Sequence, residues 1–371
     1  MRATQSIIHH ENFLYNIRQI TAKLSGKTQL CIPVKADAYG HGAVSIAKTA
    51  VEAGITHLAV ATVREGLELR DAGISCHILL FSPPDAGDAD IIIKHDLEPF
   101  VTGTKLAGRL ATAAKNAGKT ANVHIKIDTG MGRLGCSPDD AAEVARAVCE
   151  GGNLSLAGTA THLAVSDSPD EADRAYTDEQ LDRFDDALSR IRELGINPGL
   201  VHAANSGGIL LHPRAHYDMV RPGILCYGYV PDERLNGILP LKPVMELRTG
   251  IIEKHSMKAG ETVSYGRAWK ADRDTVIAVI PAGYADGLPR KLSPGLTVWI
   301  NGASYPVVGR ICMDLCMVDL GPGSKIPVGT EVSVFGPEPN PVSAGGLAKI
   351  LETIPYEITC GIGKRVPRVP A

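Results

Sequence analysis

The stretch CIPVKADAYGHG, residues 31–42, joins a buried strand to a glycine-containing turn. Residues 30–34 are apolar and partly β-branched, which is typical of a strand covered on both faces. Lys35 ends this run, although lysine is rarely buried without a partner. Two interpretations are open: an amine just past the strand in water, or an amine held in a pocket for chemistry.

Composition limits the class of protein. The chain has 371 residues, of which 44% are hydrophobic and 21% charged, as in a soluble globular protein of two domains. A formal net charge of −3 gives no basic surface, so nucleic acid is not an expected partner. No run of eighteen apolar residues and no apolar leader is found, so a membrane is not an expected partner either. The eight cysteines form no CxxC pair, and we expect a cytoplasmic protein without a metal site.

One pattern recurs from residue 30 to about residue 230. A segment with helical periodicity ends in a glycine and an apolar run follows, as in TAVEAGITHLAVAT, residues 49–62. Eight strand candidates begin near residues 30, 57, 77, 98, 122, 155, 200 and 218. Eight βα units predict a parallel (β/α)8 barrel of the TIM type, with a doubly wound open sheet as the alternative.

The pattern changes near residue 240. Residues 243–270 alternate apolar and polar side chains and are interrupted by glycines, which is typical of antiparallel strands. We therefore predict a barrel over residues 1–239 and a mainly antiparallel β domain over residues 240–371. The first residues of the chain are candidates for either domain. Helix in the second domain is expected only at SAGGLAKILETI, residues 343–354.

Polar residues cluster at the ends of the predicted barrel strands, where active sites of such barrels lie. A lone histidine on an apolar strand is more often a core residue, but five strands ending this way point to a site. The residues are Lys35, Asp37, Tyr39 and His41; Lys126, Asp128 and Arg133; His162; His202, Asn205 and Ser206; and Arg221 with Gly223. The surplus of cations predicts an anionic ligand, and the NSGG and RPGI segments offer backbone N–H groups for a phosphate.

A strand-end lysine, a phosphate cradle and cationic partners fit a Schiff base to pyridoxal 5′-phosphate. The chain then resembles the alanine racemases at nine motifs, in the family's order and over nearly its whole length. These motifs are VKADAYGHG, KIDTGMGRLG, THLA, HAANSGG, RPGILCYG, SYGRAW, AGYADGLPR, VGRICMD and PYEI.

The resemblance implies a role for each matching residue. Lys35 would anchor the cofactor, and Tyr39, Ser206, Gly223, Ile224 and Tyr356 would bind its phosphate. Arg221 would face the pyridine nitrogen, supported by His162 and His202, with Asn205 nearby. Arg133 would reach the cofactor and the substrate carboxylate, steadied by Lys126, which the family carries as a carbamate. A plain ammonium paired with Asp128 or another acid is the alternative. Tyr265 and Met313 would come from the other subunit of a homodimer, and Tyr284 and Asp314 would line the entrance.

Racemisation of alanine suits this set of residues. It removes the α-proton from one face and returns one on the other, so two bases are favoured: Lys35 for the D face and the partner's Tyr265 for the L face. A guanidinium about 4 Å from the ring nitrogen opposes its protonation by roughly 4 kcal/mol at an effective dielectric of about 20. That lowers the pKa of the nitrogen by about three, which favours quick return of the proton.

Three other functions remain open at this point. One is a racemase of broader specificity, acting on serine or larger amino acids, because the motifs do not report pocket width. A decarboxylase of basic amino acids with this fold would be expected to place an acid, in place of Arg221, towards the ring nitrogen. A non-catalytic cofactor-binding barrel would not need the β domain with Tyr265. For a racemase, the expected product is D-alanine for peptidoglycan.

Overall fold

Eight parallel strands alternate with helices in the first part of the chain. The structure is a computed structural model that describes residues 3–85 and 87–371. A short strand, β1 (Gln5–Ile8), precedes the barrel. The barrel strands are β2 (Gln29–Pro33), β3 (His57–Val60), β4 (His77–Leu80), β5 (Glu98–Val101), β6 (Ala121–Lys126), β7 (Leu154–Ala160), β8 (Leu200–His202) and β9 (Met219–Val220).

The helices surround these strands, and several of them end as the sequence predicts. They are α1 (His10–Lys23), α2 (Lys35–Gly40), α3 (Ala43–Glu52), α4 (Val63–Asp71), α5 (Ala89–Lys94), α6 (Thr104–Asn116), α7 (Ala141–Glu150), α8 (Glu171–Glu193), α9 (Ser206–Leu211) and α10 (Gly223–Cys226). Gly54, Gly73, Gly118 and Gly195 follow α3, α4, α6 and α8 with φ of 88°, 84°, 64° and 73°. This left-handed conformation ends a helix at little cost only for glycine.

The parallel sheet nearly closes on itself. Its strand order is β8-β7-β6-β5-β4-β3-β2-β9, so β2 pairs with both β3 and β9. Between β8 and β9, the Asp218 N–H donates to the Val201 carbonyl at 3.0 Å and the Arg221 N–H to that of Ala204 at 2.9 Å. The predicted barrel is confirmed, and the open doubly wound sheet is excluded. The carboxyl ends of the strands therefore meet at one mouth.

The second part of the chain forms a mostly antiparallel sheet. Its strands are β10 (Met245–Gly250), β11 (Glu253–Met257), β14 (Thr275–Ile280), β15 (Thr297–Ile300), β16 (Ala303–Val308), β17 (Cys316–Asp319), β18 (Glu331–Phe335) and β19 (Arg368–Pro370), with β12 (Thr262–Val263) and β13 (Trp269–Lys270) as a separate pair. The first strand of the chain, β1, joins this sheet, where it pairs antiparallel with β10 and parallel with β19. The order of the nine strands is β11-β14-β17-β16-β15-β18-β10-β1-β19.

Two helices, and not one, follow β18. Besides α11 (Ala344–Leu351), the segment Pro355–Cys360 forms α12, so the expectation of helix only at residues 343–354 was too narrow. Helix α12 packs against α2 at the barrel mouth: a Cβ on Gly40 would lie 2.1 Å from the Thr359 carbonyl oxygen. This close approach requires glycine and brings Tyr356 to the site.

Among the described residues, no helix is both long enough and apolar enough to cross a membrane.

Candidate active site

A cavity of about 320 Å³ opens at the carboxyl ends of the barrel strands. Its volume lies within the range of small-molecule sites. Ten of the residues predicted from the sequence line it: Lys35, Tyr39, Lys126, Arg133, His162, Asn205, Ser206, Arg221, Gly223 and Tyr356. Two more lie directly behind this wall: Ile224 is fully buried next to Gly223 in α10, and His202 contacts Arg221.

Lys35 begins α2, and this element is a left-handed turn. The backbone of Ala36, Asp37, Ala38 and Tyr39 has φ between 51° and 55°, although none of them is glycine. Each such residue costs roughly 1–2 kcal/mol, and strain of this kind is concentrated at functional sites. Burial, and then the positive charge of Arg133, lower the pKa of the Lys35 amine. The amine is therefore more readily neutral than that of an exposed lysine.

Glu65 braces this turn, and sequence analysis did not identify it. Its Oε1 accepts a hydrogen bond from the Ala36 N–H at 2.7 Å, and its Oε2 accepts from the N–H groups of Ala61 (2.7 Å) and Thr62 (3.1 Å). Glu65 also completes a capping box with Thr62 at the start of α4. The TxxE spacing of TVRE, residues 62–65, was the available signal.

Hydroxyl groups converge at one end of the cavity. A Cβ on Gly223 would lie 2.8 Å from Tyr39 Oη and 3.8 Å from Ser206 Oγ, so the glycine leaves a recess between them. The Tyr39 and Tyr356 rings lie 5.8 Å apart. Burial raises the pKa of both phenols, which stay protonated and can donate hydrogen bonds. This end of the cavity can bind an anion such as a phosphate.

Arg221 lies on another side of the cavity and is held by four groups. Its Nη1 is 2.8 Å from His202 Nδ1, and its Nη2 donates to the carbonyls of Thr161 (2.8 Å) and Ala203 (2.9 Å) and lies 3.3 Å from His162 Nδ1. Burial and the positive charge of Arg221 hold the pKa of His162 and His202 well below the usual range. Both imidazoles are therefore neutral, and His202 Nδ1 accepts a guanidinium proton.

Lys126 and Arg133 are two further basic residues at the cavity. Burial, followed by the charge of Arg221, lowers the pKa of Lys126 to about 7. Its Nζ donates to the Ile127 carbonyl at 3.0 Å. Lys126 and Asp128 both lie in the described part of the chain, and they form no ion pair there. The Asp128 carboxylate instead accepts from the backbone, including the Arg133 N–H at 3.0 Å, and so braces the loop that carries Arg133.

Asp37 and His41 do not line the cavity: Asp37 accepts from the Ala43 N–H at 2.8 Å, and His41 is buried at the end of α2. The other predicted residues lie outside the cavity, together on the β domain. The Tyr284 N–H donates to the Cys312 carbonyl at 3.0 Å, which brings Tyr284 beside the segment of Met313 and Asp314. Ser264, next to Tyr265, donates to the Arg310 carbonyl of the same segment at 3.2 Å. Tyr265 is 74% exposed, Met313 53% and Tyr284 42%, while Asp314 pairs with Arg365. We call Tyr265, Tyr284, Met313 and Asp314 the β-domain patch.

Comparison with known proteins gives one consistent result. The family model for the alanine racemase N-terminal domain matches residues 8–231, and the model for the alanine racemase C-terminal domain matches residues 244–370. An alanine racemase of Treponema denticola is 48% identical over 373 residues, covering 100% of this chain and 98% of the relative. One from Treponema pallidum is 44% identical, covering 100% and 99%.

Solved structures agree in fold. The alanine racemase of Clostridium difficile 630 superposes with a TM-score of 0.93 at 35% identity, covering 100% of this chain and 96% of that one. A structure from Bacillus anthracis, described as having bound L-Ala-P, has a TM-score of 0.91 at 32% identity, covering 100% and 95%. Both domains are shared at this similarity, and the chain belongs to the alanine racemase family of isomerases.

Proposed function

We propose that this alanine racemase works as a homodimer with pyridoxal 5′-phosphate, using Lys35 of one protomer and Tyr265 of its partner as two bases. The observation that carries the proposal is the division of the expected site. Lys35 lines a cavity in the barrel, whereas Tyr265 does not line it and is 74% exposed on the β domain. A base for the second face of the substrate then comes from the β-domain patch of another copy.

The cavity residues fit the proposed cofactor. The recess at Gly223, with the hydroxyls of Tyr39 and Ser206 beside it, suits a phosphate group. Arg221 would face the ring nitrogen, and the Lys35 amine would form the covalent link. Tyr356 and Ile224 would complete the phosphate site, with Asn205 near the ring. When bound, the cofactor makes the α-proton of the amino acid acidic.

Lys35 and Tyr265 move protons in this proposal. The lowered pKa of Lys35 favours the neutral form of its amine, and Nζ in that form accepts a proton on the D face. The Tyr265 Oη gives or takes a proton on the L face. His162 lines the cavity 3.3 Å from the Arg221 guanidinium and would assist the phenol.

Arg133 would bind and orient the substrate carboxylate, and Lys126 would steady Arg133. An unmodified Lys126 ammonium would repel the neighbouring guanidinium, which contributes to its lowered pKa. A carbamate on Nζ would instead hold Arg133 by charge-assisted hydrogen bonds. Met313 would close the substrate pocket from the partner, with Tyr284 and Asp314 at the entrance.

The biological setting is part of the same proposal. The relatives named above come from bacteria. We infer that D-alanine is made in the cytoplasm for peptidoglycan, and the eight unpaired cysteines suit a reducing compartment.

Borohydride labelling tests the proposal. The purified protein is assayed for racemisation of alanine, with serine as a comparison substrate, then reduced and mapped by mass spectrometry. A pyridoxyl group on Lys35 is expected, and Lys35→Ala should lose both the label and the activity. A label on another lysine, or no alanine racemisation, contradicts the proposal.

A further inference from the structure

Glu98 is a buried carboxylate in the barrel interior, away from the cavity. It begins β5 and is 5% exposed. Its Oε2 lies 3.3 Å from His124 Nε2, while its Oε1 lies 2.6 Å from His77 Nδ1 and accepts from Asn122 at 3.0 Å. Burial raises the pKa of Glu98, but the hydrogen bonds from His124 and its other partners lower it more, to about 2. Glu98 is therefore an ionised acceptor.

A continuous chain of hydrogen bonds links Glu98 to Arg221. His124 Nδ1 lies 3.1 Å from His202 Nε2, and His202 Nδ1 lies 2.8 Å from Arg221 Nη1. Both imidazoles are fully buried, and Arg221 is 4% exposed. Arg221, which would face the cofactor ring, is thus connected to the Glu98 carboxylate through the imidazoles of His202 and His124.

The direction of every bond in this chain is determined by its ends. Arginine only donates, so His202 Nδ1 accepts, and a neutral His202 must carry its proton on Nε2. His124 Nδ1 then accepts from His202, and the His124 proton lies on Nε2, where Glu98 accepts it. Reversing any one ring would point two N–H groups at each other.

We propose that Glu98 is a positioning residue for racemisation. It fixes the tautomers of His124 and His202, and it thereby keeps His202 Nδ1 as the acceptor that holds the Arg221 guanidinium in place. This rests on the proposed function, in which Arg221 faces the cofactor ring. Without an acceptor at position 98, the buried His124 Nε2–H loses its partner, so only Arg221 still favours the parental tautomers. The alternative, with Nδ1 protonated on both rings, then costs less than in the parent and leaves Arg221 Nη1 without its acceptor. An orienting carboxylate behind a histidine acts in this way in catalytic triads.

Substitutions separate this role from a merely structural one. Glu98→Leu removes the acceptor, and we expect kcat to fall roughly tenfold or more with KM for alanine within about threefold, as for other residues that orient a reactive group. The absorbance spectrum of the bound cofactor should change with it. Glu98→Gln keeps one oxygen for His124 and should recover most of kcat and the parental spectrum. His77→Ala is the control, because it removes a partner of Glu98 on the solvent side only.

A neutron structure of the unmodified holoenzyme tests the chain without any substitution. Deuterium is expected on Nε2 of both His202 and His124 and not on Nδ1 of either. Deuterium on Nδ1 of either ring overturns the inference, as does a folded Glu98→Leu variant with parental kcat and spectrum, or a Glu98→Gln variant no better than Glu98→Leu. If the unmodified protein binds no cofactor or does not racemise alanine, it is the proposed function that fails.

Discussion

Two lysines of the cavity show how the surroundings of a side chain decide its chemistry. Burial and neighbouring guanidiniums lower the pKa of Lys35 and of Lys126. For Lys35 the result is a base in the proposed reaction. For Lys126 it is an amine that can react with carbon dioxide, since only the neutral form is nucleophilic.

Carbamylation of Lys126 should therefore depend on pH. With a pKa of about 7, roughly half of the amine is neutral at pH 7, about a tenth near pH 6 and about nine tenths near pH 8. Because the pKa is lowered, the neutral fraction rises as pH rises. Mass spectrometry after trapping of the carbamate, with added bicarbonate, should show this increase. A modification level that does not respond to pH or bicarbonate would count against the carbamate.

The two proposed bases should respond differently to exchange in deuterium oxide. Tyr265→Phe removes the phenol and leaves Lys35, so the α-hydrogen should still wash out of D-alanine while exchange from L-alanine falls, on the order of a hundredfold or more. Proton NMR of the two enantiomers measures both rates. Equal losses from both enantiomers would contradict the assignment of one base to each face.

At the scale of elements, the strand-end Lys35 begins the left-handed turn α2. Glu65 holds the first residue of that turn through Ala36. We expect Glu65→Ala to weaken cofactor binding about tenfold or more, because the Ala36 N–H loses its acceptor and the strained turn relaxes. Cofactor titration of the apo-protein measures this.

Thr62→Ala is the matched control for Glu65→Ala. It removes the Thr62 part of the capping box of α4, at a cost of about 1 kcal/mol, and leaves the Glu65 contact with Ala36 in place. Cofactor affinity should stay within about threefold of the parent. Equal losses of affinity in both variants would mean that the cap of α4, and not the brace on α2, supports the site.

The sequence predicts strands with a clear pattern of apolar residues and helices that end in a glycine. It misses elements that depend on contacts with distant parts of the chain. All eight barrel strands begin within a few residues of the predicted positions. Helix α12 was missed because PYEITC is short, and such a helix depends on packing against other elements, here α11 and α2. The left-handed α2 has no local signal, because Ala36 and Tyr39 do not favour that conformation.

The polar residues inside the barrel were missed for a related reason. Glu98 and His124 look like isolated polar residues within apolar strands, and only the closed barrel brings them beside His202. The residues at the strand ends were predicted because the carboxyl ends of barrel strands meet at one mouth, whatever the packing of the side chains inside the barrel.

At the scale of the whole molecule, the β domain holds both ends of the described chain, since β1 and β19 pair in its sheet. Glu246 in the adjacent β10 is 8% exposed; burial raises its pKa, but hydrogen bonds with His9 and Arg248 lower it to about 2. A depressed carboxyl pKa stabilises the fold above the unfolded value and loses this effect as pH falls through the folded value.

Glu246→Gln should flatten the acid side of the stability profile. The ionised carboxylate contributes about 3 kcal/mol near neutral pH, which disappears between about pH 5 and pH 2. In thermal unfolding, the parent should lose more Tm than the variant between about pH 6 and pH 3. Parallel profiles would show that Glu246 is not the group responsible.

Subunit mixing tests the central claim, that one site draws Lys35 and Tyr265 from different protomers. Lys35→Ala and Tyr265→Phe proteins, each inactive alone, are mixed in equal amounts under conditions of subunit exchange. Half of the dimers are then mixed and carry one intact site of two, so about one quarter of the parental activity should return. Native mass spectrometry confirms that mixed dimers form. If they form and alanine is still not racemised, the two bases do not come from different subunits.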